Sequence, residues 1–279
     1  MNKIKGEIVH TKKTVFNISE EKISKIAVLI DADNASARDI DYILTEITKY
    51  GEATVKRIYG NFTDQVGNAW KKCINDLAIK PMQQFAYTTG KNATDGFMII
   101  DAMDLLYTNR FDGFCIISSD SDFTALAIRI KEQGATVYGF GKKQTPKAFV
   151  NACSHFTYVE NLHPVAEICE PQKAEPVVQV AVVDTPKVTS TVKPVKEKML
   201  VEAVDLPMVL IQQIFEDAEE EWLAISVVGQ RWKLKQVDFD PRSYGAKNFS
   251  TLVKKFPSVF EWEERDLNGH KHVYVKLKQ

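Results

Sequence analysis

Between about residues 25 and 163, short apolar runs of strand length alternate with segments of helical character, and few folds accept that alternation. The runs are IAVLI (26–30), ATVKRIY (53–59), KPMQQFAY (80–87), FCIIS (114–118), ATVYGFG (135–141) and FTYVE (156–160). Helices are expected between them, near 36–50, 66–78, 94–108, 121–133 and 145–152. Strands that each feed a helix pair in parallel and are covered on both faces, so the pattern predicts an α/β parallel sheet with helices on both sides.

Such a sheet places a set of acids where its strands run out. Asp31 ends the first strand in IAVLIDADNAS, and Asp120 and Asp122 follow the fourth in IISSDSDF. Asp95, in KNATDGF, opens the helix that precedes the fourth strand. In open α/β sheets ligands bind at that carboxyl edge. Four carboxylates aimed at one point repel strongly at low dielectric. They are tolerable together chiefly around a divalent cation, and an all-oxygen set suits Mg²⁺ or Mn²⁺. The acids therefore point to metal-assisted phosphate chemistry.

Their neighbours divide by position. Asn34 could orient a water at the metal or the scissile phosphate, and Asp33 is expected to face solvent. Ser118 and Ser119 could hydrogen-bond the acids, or cap the helix that begins near Asp122. Asp95 alone could equally be a first-turn carboxylate favoured by the helix dipole. Asp101 lies six residues further along FMIIDAM, about 240° around an ideal helix, and burying it requires a partner. It is expected to support the site or to pair with a cation, while Asp104 is solvated. Tyr59 and Phe62 could stack bases, with half-buried packing as the alternative.

Composition narrows the setting. With 279 residues, 44% hydrophobic, the chain is long enough for two domains. A net charge of −1 excludes a global basic coat, so nucleic-acid binding must come from local patches. Cys73, Cys115, Cys153 and Cys169 have no CxxC spacing, and no run approaches a membrane span, so a cytoplasmic location and no membrane partner are expected. The histidines assemble no zinc site.

Residues 164–204 read as a flexible Pro-rich linker after an N-terminal extension (1–24) and the sheet domain (25–163). The tail, 205–279, recovers periodicity. Helices are expected over 206–221, with Val209, Ile211, Ile214 and Phe215 buried, and over 226–236 and 244–256. A hairpin follows over 260–277 around Asn268-Gly269, making a small winged helix-turn-helix. Arg231, Lys233, Lys235, Lys247, Lys254 and Lys255 occupy its second and third helices, a distribution suited to phosphate. Lys91, Lys142 and Lys143 could hold flanking phosphates near the acids.

The motifs IDADNAS, YGNF (59–62), KNATDGFMIIDAMDLLY (91–107), SSDSDFTALAIRIKEQGATVYGFG (118–141) and NACSHFTYVENL (151–162) arrive in the order of the NYN family, which they resemble. The tail, through SYGAKNFSTLVKKFPSVFEWEE and HVYVKL, resembles the LOTUS or OST-HTH domain. The first resemblance implies a PIN-like nuclease fold with Asp31, Asp95, Asp120 and Asp122 as metal ligands, which with Asn34 form the catalytic set. The second implies a module for RNA or a protein partner. Together they imply a metal-dependent ribonuclease. A non-catalytic RNA-binding adaptor is the alternative. A haloacid-dehalogenase-like phosphatase, with Asp31 as nucleophile and Asp33 as acid, fits less well because its later motifs are out of order. Oligomeric state is not legible.

Overall fold

In the computed structural model, residues 23–63, 65–84, 93–163, 206–216, 218, 220–267 and 270–278 are described. Strand β1 (Lys25–Asp31) runs through the middle of a six-stranded sheet whose other members are β2 (Glu52–Gly60), β3 (Lys80–Gln83), β4 (Gly113–Ile117), β5 (Thr136–Gly141) and β6 (His155–Tyr158). The order is β3-β2-β1-β4-β5-β6, and every pairing is parallel. Residues Ile26–Asp31 are all buried, because alternate side chains enter separate cores on the two faces. One face is covered by α1 (Ile40–Ile47) and α2 (Gln65–Asp76), which meet Ile26, Val28 and Ile30. The other is covered by α3 (Ala93–Tyr107), α4 (Thr124–Glu132) and α5 (Lys147–Ala152), which meet Ala27 and Leu29.

The α/β expectation holds, with local differences. The first helix starts at Ile40 rather than near 36, since Asp31–Asp39 forms turns. A 3₁₀ turn, Ser121–Phe123, precedes α4. β6 stops at Tyr158, where a second 3₁₀ turn begins. The expected third strand is seen only over Lys80–Gln83, and 85–87 lie outside the described residues. So do Lys91, most of the N-terminal extension and the expected linker.

The tail folds as α6 (Met208–Glu216), β7 (Leu223–Ala224), α7 (Ile225–Lys235), α8 (Phe249–Lys255), β8 (Phe260–Leu267) and β9 (His270–Leu277), with sheet order β7-β9-β8. Helices followed by an antiparallel hairpin make the expected winged arrangement. Trp232, buried under Phe239 and Phe249, centres its core. Three expectations fail here. The helix expected over 206–221 is seen only over Met208–Glu216. Val209 is 70% exposed, since the buried stripe of α6 passes through Ile211 and Ile214. The helix expected over 244–256 is broken, because Pro241–Tyr244 forms a 3₁₀ turn ended by Gly245 at φ 67, and α8 restarts on an Asn248 cap. A side chain at Gly245 would be strained by that positive φ.

The tail docks on the β6 edge. Phe156 N–H donates to the Val237 carbonyl at 3.0 Å, so the edge strand is partly covered by tail backbone. Lys147 and the Tyr158 hydroxyl both donate to Asp238, at 3.0 and 2.8 Å. Arg242 donates to Glu46 at 3.1 and 3.2 Å and to Asp240 at 2.7 Å, joining the domains through one guanidinium. Its planar fork meets each carboxylate with paired N–H groups, a geometry that a lysine ammonium does not offer.

Candidate metal centre

Sheet order reverses between β1 and β4: the chain leaves β1 toward β2 on one side and leaves β4 toward β5 on the other. The connections diverge there and open a crevice at the carboxyl ends. Asp31 ends β1 on one lip, and Ser118–Asp122 follows β4 on the other. α3 runs back from the carboxyl edge, so its first turn brings in Asp95, while Met98, Ala102, Leu105 and Leu106 seat the helix on the sheet.

Each acid is held differently. Asp31 is fully buried and accepts from Asp33 N–H at 3.0 Å, Asn34 N–H at 3.3 Å, Asn34 Nδ2 at 2.7 Å and Ser118 Oγ at 2.7 Å. Those donors fill the roughly four lone-pair positions of a carboxylate. Ser118 Oγ also accepts from Asp120 N–H at 3.0 Å, which couples the second lip to the first. Asp120 accepts from Asp122 N–H at 2.9 Å, and Phe123, buried in the core, anchors this turn. The serines therefore do not cap the following turn, whose cap is Asp120. Ser119 Oγ instead accepts from Lys142 N–H at 2.9 Å and ties the turn to the loop after β5. Gly141 is required there, since a Cβ would lie 2.7 Å from the Ser118 carbonyl oxygen.

Oxygens of Asp95, Asp120 and Asp122 lie within 4.8 Å of one another. Asp31 is not among the three, although it is near enough to act on them electrostatically. Burial first, then the charges of Asp31, Asp120, Asp122 and Asp33, push the Asp95 carboxyl up to about 6. Burial and then Asp31 raise that of Asp33, which is exposed as expected. Oxygens on one Mg²⁺ at about 2.1 Å are separated by about 3–4 Å. Three carboxylates at this spacing fit one such ion with small side-chain rotations, and the purely oxygen donor set suits Mg²⁺ or Mn²⁺ over softer metals.

A pH dependence follows from Asp95. Its folded value lies above the ordinary aspartate value of 3.8, so the stability linked to its protonation is present below that value and lost as pH rises through about 6. An ion needs this carboxyl ionised, so binding weakens as pH falls through the same range. Excess Mn²⁺ should raise Tm at pH 7.5 and much less at pH 5, by scanning calorimetry. Equal rises at both would place the ion elsewhere.

The remaining candidates sort clearly. Asp101 pairs with Arg57 and also accepts from the Tyr59 hydroxyl, as the cation-paired alternative required. Tyr59 is fully buried, which removes it as a base-stacking platform, and Phe62 packs partly into the core beneath α1 and α2. Asp104 is exposed. Lys142 and Lys143 are exposed just beyond β5, on the acid-bearing edge. In the tail, Arg231 donates to the Ile214 carbonyl at 3.0 Å and so braces α6. Lys255 donates to the Tyr244 carbonyl at 2.9 Å, and Lys254 lies 4.3 Å over the Trp262 ring. Lys233, Lys235 and Lys247 are exposed. The structure thus does not gather the tail cations onto one face. Sequence reading missed Arg57, although Arg57 and Tyr59 two apart on a strand share a face and signal a joint partner.

The NYN domain model matches residues 25–163, and the OST-HTH/LOTUS domain model matches residues 200–272. No curated protein matches the chain. Among solved structures, a protein of unknown function from Vibrio parahaemolyticus is similar, with 17% identity and a TM-score of 0.42. That match covers 50% of this chain and 94% of the other. No described helix is long and apolar enough to cross a membrane. The NYN match sets the phosphatase reading aside, and the chain combines an NYN domain, of PIN-like nuclease fold, with a C-terminal OST-HTH/LOTUS domain.

Proposed function

We propose that the protein is a Mg²⁺- or Mn²⁺-dependent ribonuclease, probing RNA with its OST-HTH domain and cleaving it at the crevice between β1 and β4. The observation that carries this reading is the convergence of Asp95, Asp120 and Asp122 from two separate elements, backed by the buried Asp31. These three acids would hold the ion, and a bound ion would activate the attacking water and stabilise charge on the departing oxygen.

Asp31, its oxygens already occupied, adds negative charge behind the ion and fixes both lips; it reaches the ion directly only by releasing a donor. Asn34 gives one amide proton to Asp31, which leaves its carbonyl oxygen to accept from a water and its second N–H to donate to the scissile phosphate. Ser118 holds Asp120 in register with Asp31. Lys142 and Lys143 supply cations for phosphates beside the cleaved one.

Labelled single-stranded RNA, duplex RNA and DNA, each incubated with Mg²⁺, Mn²⁺ or EDTA, test this. RNA should be cut with either metal and not with EDTA. Cleavage indifferent to EDTA would sink the metal mechanism. Undiminished RNA binding without cleavage under any condition would favour an adaptor.

A further inference from the structure

Two of the exposed tail cations, Lys233 and Lys247, lie at the opposite end of the sheet from the acids. A cleft of about 410 Å³ lies between the domains, where Tyr50 and His155 face Lys233 and Lys247. Tyr50 precedes β2 and His155 begins β6, so the cleft opens at the amino ends of the strands. It exists only because the tail docks on the β6 edge.

Three features make it a built site. Tyr50 and His155 lie 6.2 Å apart with planes 11° from parallel, and both stack against Tyr138, at 4.5 and 5.5 Å. The rings are therefore fixed before any ligand arrives, and both line the cleft wall. Both acids in the wall are already engaged: Glu46 by Arg242 and Lys49, and Asp240 by Arg242. Lys233 and Lys247 have no carboxylate within ion-pair distance among the described residues, so the cleft carries surplus positive charge. Burial, and then the Lys233 ammonium, hold the His155 pKa below its usual value, so the ring is neutral near pH 7 and serves as a stacking surface.

Fixed aromatic rings beside uncompensated ammonium groups are the chemistry that recognises a nucleoside phosphate. We propose that this interdomain cleft is a second nucleotide-binding site, where a base of single-stranded RNA stacks on Tyr50 and His155 and its phosphates meet Lys233 and Lys247. Strand rise and spacing put it roughly 25 Å from the acid cluster. A strand engaging both sites must wrap the β6 edge, so the cleft would favour substrates longer than the few nucleotides that the crevice holds. The identity of the ligand as RNA rests on the ribonuclease reading; the cleft's chemistry would equally admit a free nucleotide.

Binding without cleavage separates the two readings. The full chain carrying Asp120→Asn/Asp122→Asn is titrated in EDTA with a fluorescent single-stranded oligouridylate, at several salt concentrations. Adding Lys233→Glu/Lys247→Glu should weaken binding at least about tenfold and reduce the salt slope by about two. The equal charge change Lys80→Glu/Arg110→Glu, placed away from the cleft, should do much less. With the cleft unaltered, 4-thiouridine RNA should crosslink at Tyr50 or His155. Loss of that crosslink to competing UMP would assign the site to free nucleotides, and its persistence to the RNA strand. Equal losses from the two charge reversals, or crosslinks that avoid both rings, would overturn the proposal, whether or not the wild type cleaves RNA. Crosslinks at the rings in a protein that never cleaves would leave the cleft standing and remove the ribonuclease reading.

Discussion

Replacing Asp120 and Asp122 together by asparagine is expected to lower RNA cleavage by about a thousandfold or more while leaving the fold intact. A catalytic cation contributes several kcal/mol to the transition state, and each 1.36 kcal/mol is about tenfold in rate. Removing two of the three converging charges removes most of what would hold it. Stability should change little, because an asparagine at 120 still offers an oxygen to Asp122 N–H, and Asp122 is exposed. Asp104→Asn on the exposed side of α3 provides the charge control. Cleavage rates under saturating Mn²⁺ measure the loss; a double variant within tenfold of wild type would remove these acids from the mechanism.

The largest effect on stability is expected at Asp101→Ala. Arg57 and Tyr59 both rely on that carboxylate, and the Arg57 and Asp101 side chains are only 21% and 13% exposed. Removing one partner of a buried pair leaves an uncompensated charge and costs about 3–5 kcal/mol. For a domain of this size that is a fall in Tm of roughly 10 °C. Cleavage should fall less steeply than with the Asp120/Asp122 variant at temperatures where the chain stays folded, since Asp101 sits beyond the acid cluster on α3. Arg57→Met/Asp101→Leu should recover much of the stability, because two apolar groups need no partners. A single variant as stable as wild type would show that the pair does not brace α3 on β2.

Most of the sheet was legible because each strand is a continuous apolar run, the form imposed by burial on both faces. Tertiary packing set what periodicity could not. Val209 looked buried on helical spacing, yet α6 turns Ile211 and Ile214 inward, and the helix expected over 244–256 restarts only after Gly245, on the Asn248 cap. β7 was missed because two residues carry no alternation to read. At the site, Asp31, Asp120 and Asp122 stood out as acids following strands, and Asp95 came chiefly from the family resemblance. Sequence alone could not show that Asp31 is saturated by its own turn and by Ser118, because that depends on how β1 and β4 lie side by side. Nor could it show the docking of the tail, which rests on Arg242 meeting Glu46 across 196 positions.

Mn²⁺ titration followed by electron paramagnetic resonance at pH 7.5 tests, without reference to any substrate, whether Asp95, Asp120 and Asp122 bind one divalent cation. Wild type should deplete free Mn²⁺ with a saturable site that Mg²⁺ displaces, and the Asp120→Asn/Asp122→Asn variant should leave the free signal almost unchanged. Equal Mn²⁺ uptake by both proteins would contradict the account.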